Sequence, residues 1–169
     1  ILGTLLITIV MNAWAFPFQA LLPVFARDVL GQGPMGLGFL GAANGAGSLV
    51  GLVVVNLSRR KFGNPGIFSA GSIVACLGLI AFSLSTSMSF SLLALGVAGL
   101  GQAAFSIMQS SIILVEASDQ MRSRAMGALV LAIGVGPLGR VQAGAMAAAW
   151  SAPIAVSWMA ASGAIATAA

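Results

Sequence analysis

From Phe62 to Val115 the chain runs for 54 residues without one charged side chain. As a single helix rising about 1.5 Å per residue it would extend roughly 80 Å, against about 30 Å for the hydrocarbon core of a bilayer. The run must therefore turn back on itself, and the polar string STSMS at 85–89 is the natural place. Comparable runs occupy residues 1–26, 29–58 and 125–169, the last interrupted only by Arg140. WSAP at 150–153 divides it, with a Trp suited to the membrane interface and a Pro that a helix interior tolerates poorly. The expectation is six spans, at about 1–26, 35–58, 66–85, 90–115, 125–148 and 153–169.

Backbone polar groups in lipid must be satisfied inside a helix or a closed barrel. These runs lack the apolar/polar alternation of barrel strands, so the expected fold class is an all-α membrane protein. Charged residues make up 6% of the chain and hydrophobic ones 59%. A soluble domain carries about 25% charged residues, so an ordinary water-facing surface is excluded and the lipid bilayer is the surrounding partner. The net charge of +4 comes from seven basic residues that form no basic face with interleaved aromatics, which argues against a nucleic-acid partner. With no His, one Cys (Cys76) and three acids, neither a metal site nor Ser-His-Asp or Cys-His catalysis is expected. No cofactor is expected either. The chain opens on ILGTLLITIV and stops inside an apolar run, and it is read as a fragment of a longer protein.

Charge sets the orientation. Arg59, Arg60 and Lys61 join the second and third spans, and Arg122 and Arg124 join the fourth and fifth. An even number of crossings separates these loops, so both lie on one side. The opposite loops hold Arg27 with Asp28 and otherwise no charge. The basic excess assigns loops 59–61 and 116–124 to the cytoplasm.

Amide side chains are costly in hydrocarbon, so their positions are informative. The first span has Asn12 and Gln19, the second Asn44 and Asn56, the fourth Gln102 and Gln109, and the fifth Gln142; the third and sixth have none. The first, second, fourth and fifth spans thus read as facing something polar, and the third and sixth as facing lipid. Gln102, Ser106 and Gln109 fall on one stripe of a helix. They, with Asn12, Gln19 and Asn44, are the candidates for lining a substrate cavity; hydrogen bonding between helices is the alternative. Gly41-x3-Gly45 and Gly47-x3-Gly51 read as surfaces for close helix packing. Pro17 and the Gly134-Val135-Gly136-Pro137 string read as kinks. Arg140, about 24 Å along the helix from Arg124, reads either as snorkelling to the far interface or as an anion-attracting group.

Three stretches carry a family resemblance: FPFQALLPVFARDVLGQGP, GFLGAANGAGSLVG and FSIMQSSIILVEASDQMRSRAMGALVLAIGVGPLG. With them the chain resembles the carboxy-terminal six-helix half of a major facilitator superfamily transporter, in the branch of enterobactin-type exporters. The resemblance implies two inverted three-helix repeats, together half of a twelve-helix fold, with the amino-terminal half missing. It implies a secondary active transporter in a bacterial inner membrane, exporting siderophore- or drug-like small molecules by alternating access. In SRRKFGNPG, Arg60 stands where the family's second-to-third loop has an acid, while Gly63 is retained. An ABC-type permease subunit and a non-transporting six-helix scaffold or sensor are the rival readings.

Loop 59–61 is wholly basic, whereas loop 116–124 holds Glu116 and Asp119 beside Arg122 and Arg124. These seven residues are candidates for a cytoplasmic gate that pairs when the mouth closes. Asp119 could instead cap the fifth span. No Asp or Glu is expected deep inside a span, so a proton-coupled cycle would draw its essential carboxylate from outside this chain. The topology is testable in a Cys76→Ala background. Lys61→Cys and Ser87→Cys should react with an impermeant thiol reagent from opposite sides of the membrane; reaction from one side would overturn the six-span arrangement.

Overall fold

The computed structural model describes residues 1–168, apart from the side chains of 60–62 and 168. The gate candidates Arg60 and Lys61 therefore lie outside the described side chains. Among the described residues all regular structure is helical, in six helices. They are α1 (Leu2–Val29), α2 (Pro34–Arg59), α3 (Gly63–Ser83), α4 (Met88–Glu116), α5 (Arg122–Ala149) and α6 (Ala152–Ala168). The first five are long and apolar enough to cross a membrane, and α6 is a shorter apolar helix.

Local chemistry explains the turns. Pro34 opens α2 behind an extended Gly33, where the missing proline N–H costs nothing. Between α2 and α3, Gly63 adopts φ 67° and ψ 167°, a conformation that a Cβ would disfavour. Ser87 caps α4 by accepting a hydrogen bond from the Phe90 amide at 3.3 Å. The Ser91 hydroxyl donates to Ser85 Oγ at 2.8 Å, and Ser85 Oγ donates to the Ser87 carbonyl at 3.0 Å. Ser85 and Ser87 of the STSMS string thus form a compact polar turn with Ser91.

The two three-helix units pack by exchange. Helix α4 lies against α2 and α3, and α1 lies against α5 and α6. In each case the first helix of one unit meets the second and third helices of the other. Helices α3 and α6 also touch, where Gly163 approaches Cys76. Three helices per unit make an odd number of crossings, so the two repeats are inverted across the membrane.

Glycine permits this closeness. A Cβ at Gly47 would overlap the Gly96 carbonyl, and one at Gly99 would overlap the Asn44 carbonyl. At Gly41 and Gly45 a Cβ would meet nothing within 4 Å. Of the two small-residue pairs expected to pack, only Gly47 and Gly51 do. The third helix also departs from expectation. Fully 56% of its apolar stretch is buried, against 17% for α2 and α5, and Ala75, Cys76, Leu79 and Phe82 are sealed inside. Helix α6 likewise turns Ala155, Val156, Met159 and Ala160 inward while Trp158 and Ile165 face out. A lack of polar residues is compatible with lipid and with an apolar protein interior alike, and for much of α3 the environment is the interior.

Gly47→Ala should force α2 away from α4 and cost about 1–3 kcal/mol, as overpacking does. At Gly66 an added methyl meets nothing within 4 Å, so Gly66→Ala should be neutral or stabilising. Thermal unfolding of the detergent-solubilised protein checks the contrast; equal effects at both positions would refute the packing account.

Candidate substrate cavity

Two helices are irregular at the same place. Within α1, Met11–Ala15 widens into a π-helical turn and Phe16–Leu21 tightens into 3₁₀ geometry around Pro17. Proline has no N–H to continue the ladder, and its ring clashes with the preceding turn. Helix α5 is interrupted between Ile133 and Gly136, with Pro137 in the first turn of the resumed helix. The two irregular stretches touch: a Cβ at Gly139 would collide with the Ala13 carbonyl and the Pro17 ring. Each kink has an identifiable cause in Pro or Gly.

A cavity of about 320 Å³ opens beside this contact. Helix α1 contributes Asn12, Phe16, Pro17 and Gln19, and α4 contributes Gln102, Phe105, Ser106 and Gln109. Ile133, Gly136 and Arg140 line it from α5. Five of the six residues singled out as cavity candidates, Asn12, Gln19, Gln102, Ser106 and Gln109, therefore line one space. Gln102 sits fourteen residues from either end of α4, at the depth where transporter sites tend to lie.

Asn44 does not join them. Its amide donates to the Leu95 carbonyl at 3.3 Å, and Ser48 Oγ bridges the Asn44 and Gly99 carbonyls at 3.0 and 3.1 Å. The glycine contact of α2 with α4 draws Asn44 into the helix seam, where it bonds from one helix to the other. Gln109 does both jobs. Its Oε1 accepts from the Thr8 hydroxyl at 3.0 Å, joining α4 to α1, while the residue also borders the cavity. Asn12 donates to the Thr8 carbonyl at 2.9 Å, one turn back. Phe105 carries the apolar wall, with Phe16 edge-on at 5.1 Å and Phe68 stacked behind at 5.1 Å. Arg140 lines the same space, although sequence reasoning left it between two readings and outside the cavity set. Its spacing from Ile133 and Gly136, seven and four residues, was the available signal for a shared face.

The charged loops are arranged differently from a gate pair. Arg59 donates to Ser111 Oγ of α4 at 2.5 Å, a link between helix ends. Asp119 pairs with Arg122 at 2.9 Å within its own loop. The residue at the N-cap of α5 is Met121, with no side-chain cap, so Asp119 is a partner of Arg122 rather than a cap. Glu116 and Arg124 border one hollow, beside Ala117 and Met121. Among the described residues no ion pair joins the two loops.

No protein-family model matches the chain, and no curated protein matches it. Solved structures do. A crystal structure of a mutant of the peptide transporter POT in complex with sulfate superposes with a TM-score of 0.83 at 17% identity, covering 97% of this chain and 35% of that one. A second structure of the same mutant also gives 0.83, at 16% identity, with coverage of 98% and 36%. The chain spans about a third of the length of these proteins. At such identities the likeness establishes the fold alone: the six-helix arrangement of this chain is shared with part of the POT structures.

The cavity geometry predicts accessibility. In a Cys76→Ala background, Ser106→Cys should react readily with a small charged thiosulfonate reagent. Met108→Cys, whose parent side chain is fully buried, should react at least about tenfold more slowly, as a closed packed core requires. Equal rates would mean that α4 does not present this face to the cavity.

Proposed function

We propose that the chain forms half of a secondary transporter that moves a small amphipathic molecule by alternating access. The observation that carries the reading is the meeting of two interrupted helices beside amide side chains near the middle of α4. Discontinuous helices at this depth leave backbone groups and kinks where a substrate binds and where a wall can move. The apolar faces of α2 and α5, among them Leu49, Leu52, Leu57, Leu131, Leu138 and Val141, are available to lipid and to a second half of the protein. The fold match over about a third of the POT chain supports such a second half.

The finer reading rests on the sequence resemblance: export, siderophore- or drug-like cargo and a bacterial inner membrane. The cavity suits such cargo, since Phe16 and Phe105 offer apolar contact and Gln102 and Ser106 offer hydrogen bonds. At the cytoplasmic end, the Arg59–Ser111 link ties α2 to α4. In the proposed cycle loops 59–61 and 116–124 approach when that mouth closes, with Arg59, Arg60 and Lys61 opposite Glu116 and Asp119.

Reconstituted full-length protein should carry a fluorescent amphipathic dye across proteoliposomes in a time-dependent manner. Ser106→Trp, which fills the cavity from α4, should reduce that flux at least about tenfold, equivalent to about 1.4 kcal/mol, without lowering the melting temperature. Unchanged flux in the Trp variant would remove the cavity from the transport path. For the gate, Asp119→Arg should slow flux and an added Arg59→Asp should partly restore it, since coupled sites are non-additive. A double variant no better than its worse single parent would rule the gate out.

A further inference from the structure

We propose that Arg140 is the anion-recognising residue of the cavity, and that the cargo carries an oxyanion such as a carboxylate or sulfonate on an apolar body. The inference rests on the transporter reading and adds a substrate class to it.

Arg140 lies nine residues before the end of α5 at Ala149, about 13 Å along the axis, so it stands well inside the span. It projects from the same face as Ile133 and Gly136, and all three line the cavity. A guanidinium stays protonated at any physiological pH. The space therefore carries one positive charge, on an exposed side chain that borders the cavity.

Among the described residues no acid pairs with it. The whole sequence has three acids. Asp28 is held by its neighbour Arg27 at 2.6 Å and Asp119 by Arg122, and Glu116 lies in the hollow beside Met121 and Arg124. None of them lines the cavity. The other polar lining groups are the amides of Asn12, Gln19, Gln102 and Gln109 and the Ser106 hydroxyl, which add neutral N–H and O–H donors and no negative charge. An oxyanion meets a guanidinium with two parallel hydrogen bonds and gains further donors from amides. Phe16 and Phe105 receive the apolar remainder of the molecule. A cation would face Arg140 with no acid in the cavity to offset it.

The test compares two probes of similar size and opposite charge, 1-naphthoate and 1-naphthylmethylammonium. Binding to purified full-length protein is measured by calorimetry, and flux is followed separately in proteoliposomes. Wild-type protein should bind naphthoate at least about tenfold more tightly than the ammonium. Arg140→Gln should weaken naphthoate binding by about tenfold or more and erase the preference, and Arg140→Lys should fall between, as a point charge without the guanidinium fork. Should Arg140→Gln fail to fold, the wild-type preference and the Lys variant still decide. Equal wild-type affinities, as expected if an acid elsewhere in the full protein occupies Arg140, would overturn the proposal. So would unchanged naphthoate affinity in Arg140→Gln. Charge-selective binding without flux of either probe would uphold anion recognition and count against transport. Flux of the ammonium alone would uphold transport and overturn anion recognition.

Discussion

The seam between α4 and its neighbours is the contact on which the rest of the structure depends. In lipid the driving force for association is weak, because hydrocarbon tails are as apolar as a leucine face, and helices associate by van der Waals packing and hydrogen bonds. Gly47, Gly51, Gly71 and Gly78 bring α2 and α3 so close to α4 that an added methyl would strike backbone or an alanine methyl. The same closeness lets Asn44 and Ser48 reach the Leu95 and Gly99 carbonyls. With one side of α4 fixed in this seam, its Gln102, Ser106 and Gln109 stripe is left for the opposite side.

Helices α1 and α5 meet under a different constraint. Gly139 abuts Ala13 and Pro17, so their contact is made through a kinked segment of each helix rather than along two straight rods. The departures from regular helix hold the cavity open, and the amides beside it supply partners for polar groups that a regular apolar bundle would leave unsatisfied. A single permanent charge, Arg140, gives the space its sign. The six-helix unit thus combines a glycine-packed seam on one flank with a kinked, polar flank on the other.

Much of this was legible in the residues. Long charge-free runs dictated membrane helices because a buried ion in hydrocarbon is costly. The i, i+4, i+7 spacing put Gln102, Ser106 and Gln109 on one face because helix geometry is periodic, and Asn12 and Gln19 line the same space. For Asn44 the interhelical alternative is the one seen, since a polar residue in an apolar helix is equally at home in a cavity and in a helix seam. The polar-free α3 was misread for the mirror reason, since hydropathy does not separate lipid from protein interior.

The sequence by itself determined the class of the molecule, its helices and one polar stripe, because each follows from the local energetics of burying charge and backbone in a bilayer. Only the tertiary structure decided which glycines pack, open Gly41 and Gly45 against closed Gly47 and Gly51. It also decided that Arg140 shares a cavity with residues of α4 and α1 some thirty to a hundred and thirty positions away. Such choices depend on which surfaces of different helices meet, and no local pattern along one helix encodes the face its neighbour presents.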